Sequence, residues 1–135
     1  MNAAPQIPEA PQASMVLVVD DDAATLDVLA RLLAKRGYAP VTAADASQCW
    51  AALHEAAPAL ILLDLFLADE DGMALLRAIK ADPRLASVPV IIHTLMDRCD
   101  YREKALALGA AAYLIKPLDL RDVLDHVARL VPAPG

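Results

Sequence analysis

Apolar residues fall along this chain in two alternating patterns. Unbroken runs of strand length come first: Met15–Val19 (MVLVV), Ala59–Leu63 (ALILL), Val88–His93 (VPVIIH) and Ala111–Ile115 (AAYLI). A fifth, Ala39–Ala43, is less apolar but carries Val41 and Thr42. Between the runs the apolar positions recur at helical spacing. Leu26, Leu29, Ala30 and Leu33 mark a helix over 23–36, which Gly37 closes as a C′ residue. Ala46, Cys49, Trp50 and Leu53 make a second stripe; Met73, Leu76 and Ile79 make a third within 72–81. Residues 98–108 form a fourth helix ended by Gly109, and Leu120, Val123, Leu124, Val127 and Leu130 line a fifth.

Strand and helix therefore alternate five times. Strands that are apolar without alternation are covered on both faces, the mark of a parallel sheet in an α/β protein. Right-handed crossovers put helices on both sides, giving a doubly wound (βα)5 domain. Residues 1–14, rich in Pro and Ala, have little bulk to join a core and read as a flexible tail. The domain spans 15–131, and 132–135 form a second short tail.

The chemistry of such sheets lies at the carboxyl ends of the strands, beside a switch point in strand order. Here those ends carry Asp20-Asp21-Asp22, Asp64, His93-Thr94 and Lys116-Pro117. Three carboxylates in a partly desolvated crevice repel one another. A divalent cation removes that conflict, and an all-oxygen ligand set suits Mg2+ with a phosphoryl oxygen. Lys116 adds positive charge, and Thr94 a hydroxyl. Around one carboxylate, this set favours phosphoryl transfer onto it.

Composition narrows the remaining classes. At 135 residues the chain is one domain that needs no disulfide or structural metal. Its two cysteines form no CxxC and read as reduced thiols of a cytoplasmic protein. A net charge of −6, with no basic cluster beyond Lys35-Arg36, argues against direct nucleic-acid contact. No apolar run approaches a membrane span, and with no Lys or Arg before Arg31 and no apolar stretch ahead of the first strand a secretory signal is not expected. A flavodoxin-like oxidoreductase fits poorly, because a flavin phosphate wants Ser, Thr and backbone amides where this chain has DDD.

The motifs VLVVDDD (16–22), LLDLFLADEDG (62–72), VPVIIHT (88–94) and YLIKP (113–117) resemble those of response regulator receiver domains. The likeness spans about residues 15–131, with the four motifs in order and suitably spaced. It implies a flavodoxin-like sheet of order 2-1-3-4-5. It implies that Asp64 accepts a phosphoryl group from a histidine kinase or phosphotransfer protein. Asp20, Asp21, Asp64 and the backbone carbonyl of Phe66 would hold Mg2+ (or Mn2+). Thr94 and Lys116 would stabilise the phosphoryl group, with Tyr113 moving inward. The face of the fourth helix, fifth strand and fifth helix would then meet a downstream protein, and the resemblance also allows a homodimer through the face of the last helix. Chemistry beyond the domain's own phosphorylation and dephosphorylation is not expected. The competing reading is a receiver-like interaction scaffold that is not phosphorylated.

The chain departs from the family pattern at Ala68 and Leu95. Ala68 stands where proline is usual, which loosens that loop. Leu95 replaces the small residue that follows the switch hydroxyl. Phe66 and Met96 are bulky, so Phe66, Leu95 and Met96 together are expected to control access to Asp64. Other residues read plainly: Asp22 as a helix cap, Asp69, Glu70 and Asp71 as a solvated loop and helix start, and His93 as a packed strand residue with a satisfied nitrogen. His54 and His126 are expected to face solvent, and Trp50 and Cys49 to fill the core. Tyr101 lies on the surface or faces a partner.

Overall fold

The computed structural model describes residues 14–67 and 70–133. The expected tails, apart from Ser14, Pro132 and Ala133, and the expectation for Ala68 lie outside the described residues, as does Asp69.

Five parallel strands form the sheet: β1 (Met15–Val19), β2 (Ala39–Ala43), β3 (Leu60–Leu63), β6 (Val90–Thr94) and β7 (Ala112–Ile115). Their order is β2-β1-β3-β6-β7, the 2-1-3-4-5 arrangement counted along the main sheet. The connecting helices are α1 (Ala23–Lys35), α2 (Ala46–Glu55), α3 (Gly72–Ala81), α4 (Cys99–Ala107) and α5 (Leu120–Leu130). A small antiparallel pair, β4 (Phe66–Leu67) with β5 (Glu70–Asp71), sits between β3 and α3. It has no counterpart in the apolar pattern, because two-residue strands carry no periodicity.

Each main strand sorts its residues between two cores. Leu17, Val19, Ile61, Leu63 and Ile92 join α2 and α3 residues on one face. Val16, Val18, Leu60, Leu62 and Ile91 join α1 and α5 residues on the other. Burial on both faces explains the unbroken apolar runs. Gly37 and Gly109 have φ of 92° and 109°, the left-handed geometry that lets each chain reversal follow its helix without a Cβ clash. The strand expected from Val88 begins at Val90 instead: Val88 donates its N–H to the Leu85 carbonyl at 2.9 Å and gives its carbonyl to the Lys80 ammonium at 2.8 Å, and Pro89 has no N–H for a ladder.

The helices are held unequally. On α3 five residues are buried, among them Met73, Leu75, Leu76 and Ile79. Large side chains of this kind contribute roughly 1.5–3 kcal/mol each when buried. On α4 only Ala105 is buried. At the chain's far end Tyr38 donates its hydroxyl to the Val131 carbonyl, tying the exit of α5 to the start of β2.

Cys49 lies in the core and burial pushes its thiol up to about 12, whereas Cys99 is exposed. At about pH 8 the native protein should therefore take up one equivalent of an alkylating reagent, and a second only after denaturation. Rapid uptake of both by native protein would contradict this packing.

Candidate functional site

The hydrogen-bond ladder runs one residue past the strand ends, and those extra residues build the site. Asp20 N–H donates to the Ala43 carbonyl at 3.1 Å, and Asp64 N–H to Val19 at 3.0 Å. Lys116 N–H donates to the Thr94 carbonyl at 2.8 Å. Asp20 and Asp64 thus stand side by side at the tips of β1 and β3, while Lys116 extends from β7.

Both acids are tied down in the same way. Asp20 Oδ1 accepts the backbone N–H of Asp22 at 2.8 Å, and Asp64 Oδ1 accepts that of Phe66 at 3.0 Å. Each then offers Oδ2 to Lys116 Nζ, at 2.7 Å for Asp20 and 2.9 Å for Asp64. The carboxylates are almost sealed from solvent, at 0% and 4% exposure. Burial pulls the Lys116 ammonium down, but its hydrogen bonds to Asp20 and Asp64 outweigh that and hold it above the ordinary lysine range. The Lys116–Pro117 peptide bond is cis.

Asp21 is exposed beside this pair, and one oxygen from each of Asp20, Asp21 and Asp64 lies within 4.8 Å of the others. An all-oxygen set of three carboxylates fits a hard divalent cation. Asp22 occupies the N-cap position of α1, where its carboxylate accepts the Thr25 hydroxyl at 2.6 Å. The crevice over Asp64 is lined by Asp21, Phe66, Leu95, Met96 and Lys116, among others. Leu95 is 74% exposed at its mouth. The Phe66 ring stacks on Tyr101, with centroids 6.3 Å apart and planes 17° from parallel.

Thr94 is fully buried, and its Oγ1 accepts the Met96 N–H at 3.3 Å. Tyr113 is buried and donates its hydroxyl to the Met96 carbonyl at 2.7 Å. The chain after β6 is therefore held at both the N–H and the carbonyl of Met96, by the two side chains expected to act as switches.

Four readings of the sequence need correction or addition. His93 does not have a satisfied nitrogen: it is 1% exposed, and neither ring nitrogen has a hydrogen-bond partner. Glu70 and Asp71 are exposed but engaged, Glu70 accepting the Ala46 N–H at the start of α2 and Asp71 those of Met73 and Ala74 in α3. Carboxylates suit both positions, since helix N-termini carry unpaired N–H groups and positive partial charge. His126 is half-buried rather than solvent-facing, with Nδ1 2.9 Å from the Asp122 carbonyl.

Gly72 ends the LLDLFLADEDG motif, and packing explains why a glycine stands there. A Cβ there would stand 2.5 Å from Leu65 Cα and 2.6 Å from the Asp64 carbonyl oxygen. The signal was a lone glycine opening a helix soon after the central acid, but its cause is visible only in three dimensions.

A family model for the response regulator receiver domain matches residues 16–128. The phosphate regulon transcriptional regulatory protein PhoB of Pseudomonas aeruginosa is 34% identical over 120 residues, which cover 89% of this chain and 52% of that protein. The chain spans about half the length of the first curated relatives it matches. A CheY-like receiver domain protein from Methanospirillum hungatei JF-1 superposes with a TM-score of 0.82 at 29% identity, over 89% of this chain and 94% of that one. A Burkholderia pseudomallei response regulator, whose structure holds a phosphorylated aspartic acid and a calcium ion, superposes with a TM-score of 0.76 at 25% identity, over 82% and 64% of the two chains.

Replacing Gly72 by Ala should force α3 away from the Asp64–Leu65 backbone and cost about 1–3 kcal/mol of stability. The check is urea unfolding. An unchanged midpoint would mean that the close approach is relieved without strain.

Proposed function

The chain belongs to the response regulator receiver domain family of two-component signalling, and from that premise we propose that it is a phosphorylation switch whose acceptor is Asp64. The observation that carries this reading is the meeting of three carboxylates and one ammonium at a single rim.

A histidine kinase or phosphotransfer protein presents a phosphohistidine. An Asp64 carboxylate oxygen attacks the phosphorus, the P–N bond breaks, and its electron pair stays on the departing imidazole. Mg2+ (or Mn2+), held by Asp20, Asp21, Asp64 and the Phe66 backbone carbonyl, would neutralise the acids and draw negative charge off the phosphoryl oxygens. Lys116 turns its ammonium to one phosphoryl oxygen. The Thr94 hydroxyl leaves the Met96 N–H for another, and Tyr113, already inward, moves with the Met96 segment it holds. The face of α4, β7 and α5 rearranges because α4 is lightly anchored, a local charge event biasing a two-state element.

The rest of the reading follows from the same premise. The domain contacts proteins rather than nucleic acid and works in the cytoplasm with its kinase. Among the described residues no helix is long and apolar enough to cross a membrane. It catalyses nothing beyond its own phosphorylation and dephosphorylation.

Phe66, Leu95 and Met96 stand at the mouth of the crevice. They restrict water and small phosphodonors, so that the aspartyl phosphate is long-lived. Opening the mouth with Leu95→Ala should speed phosphate loss by about tenfold, or roughly 1.4 kcal/mol of barrier. A time course of the labelled proteins decides it, and equal or faster loss from the parent refutes the gate.

Asp64→Asn should abolish phosphotransfer from a kinase panel while leaving the protein folded. Label retained on this variant moves the acceptor elsewhere. A parent chain that takes no label from any kinase, and forms no beryllofluoride complex, returns the interaction-scaffold reading.

A further inference from the structure

One buried group beside the site has no role in the switch just described. His93 projects from β6 beneath the rim, its side chain 1% exposed, and both ring nitrogens lack hydrogen-bond partners. Such an arrangement is costly, since a buried polar group without a partner forfeits its water for nothing. Burial pushes the imidazole down from its usual range, against the opposing pull of Asp20 and Asp64. The ring has two groups to turn to. One is the Leu62 backbone, and the other is Asp20, whose Oδ2 lies 3.5 Å from Nδ1.

That same Asp20 oxygen is the one Lys116 holds at 2.7 Å. While the ammonium bridges Asp20 and Asp64, Oδ2 has a strong donor and the imidazole is redundant. Once Lys116 follows the phosphoryl group, Asp20 Oδ2 is a fully buried carboxylate oxygen that has lost its ammonium donor. A gap of 3.5 Å closes to hydrogen-bond length by a shift of a few tenths of an ångström.

We infer that His93 is a positioning residue for Asp20: its Nδ1–H takes over Asp20 Oδ2 when Lys116 leaves, and so keeps that carboxylate aimed at the cation site in the phosphorylated state. The inference rests on Asp64 being the phosphoacceptor. It explains why an imidazole stands unpartnered in the core, where an aliphatic side chain would pack without cost. Partners that orient a metal's ligands typically change affinity by roughly 10- to 100-fold when removed.

The test uses the intact chain labelled with 15N-histidine, with beryllofluoride and Mg2+ as the phosphoryl mimic. In the complex His93 should be the Nδ1–H tautomer, with its proton protected from exchange with water. The Mg2+ concentration for half-formation of the complex should rise about tenfold in His93→Leu. His93→Asn places an amide N–H where Nδ1 stands and should return the value to within about twofold of the parent. An Nε2–H tautomer in the complex overturns the inference while leaving Asp64 as acceptor. So do equal values for His93→Leu and His93→Asn, which would make the ring a packing group. Failure of the parent to form the complex overturns both readings.

Discussion

The contact on which this domain turns is the Lys116 ammonium set between Asp20 and Asp64. Two almost fully buried carboxylates on adjacent strands are an unfavourable design. At about 4 Å and an effective dielectric near 20, two like charges repel by about 4 kcal/mol. Lys116 offsets that repulsion from the far edge of the sheet. In the order β1-β3-β6-β7 its side chain must reach past β6 to meet the acids. The lysine therefore ties together the ends of β1, β3 and β7, and it makes the rim sensitive to any charge that competes for it.

The two sides of Asp64 are built differently. Toward α3, the Gly72 N–H donates to the Leu65 carbonyl at 2.9 Å, and no side chain intervenes. Toward α4, the Phe66 ring rests on Tyr101, the Arg98 guanidinium lies over the Tyr101 ring at 5.4 Å, and Ala105 is the one fully buried residue of the helix, with Tyr101 half-buried beside it. Aromatic and cation–π contacts of this exposed kind contribute about 0.5–1.5 kcal/mol each, less than one large buried side chain.

The five main strands and five helices were legible because burial on two faces leaves unbroken apolar runs, and burial on one leaves stripes. The gathering of Asp20, Asp21, Asp64, Thr94 and Lys116 near one edge was legible because parallel strands bring all their carboxyl ends to the same side. What escaped notice depends on neighbours far along the chain. Glu70 caps a helix that starts 24 residues earlier. His93 reads as an ordinary packed residue until its two unbonded ring nitrogens are seen beside Asp20. Phe66 was expected at the mouth, and it lines it, but its stacking partner Tyr101 sits on another helix.

The missing Cβ at Gly72 has a mechanical consequence. With α3 pressed directly on the backbone of Asp64 and Leu65, that wall of the crevice has no slack. Volume added at Asp64 would meet a rigid stop on one side and a lightly fastened helix on the other. Displacement would follow the compliant direction, so a hydrogen atom in place of a methyl group would help decide which surface of the domain carries the message.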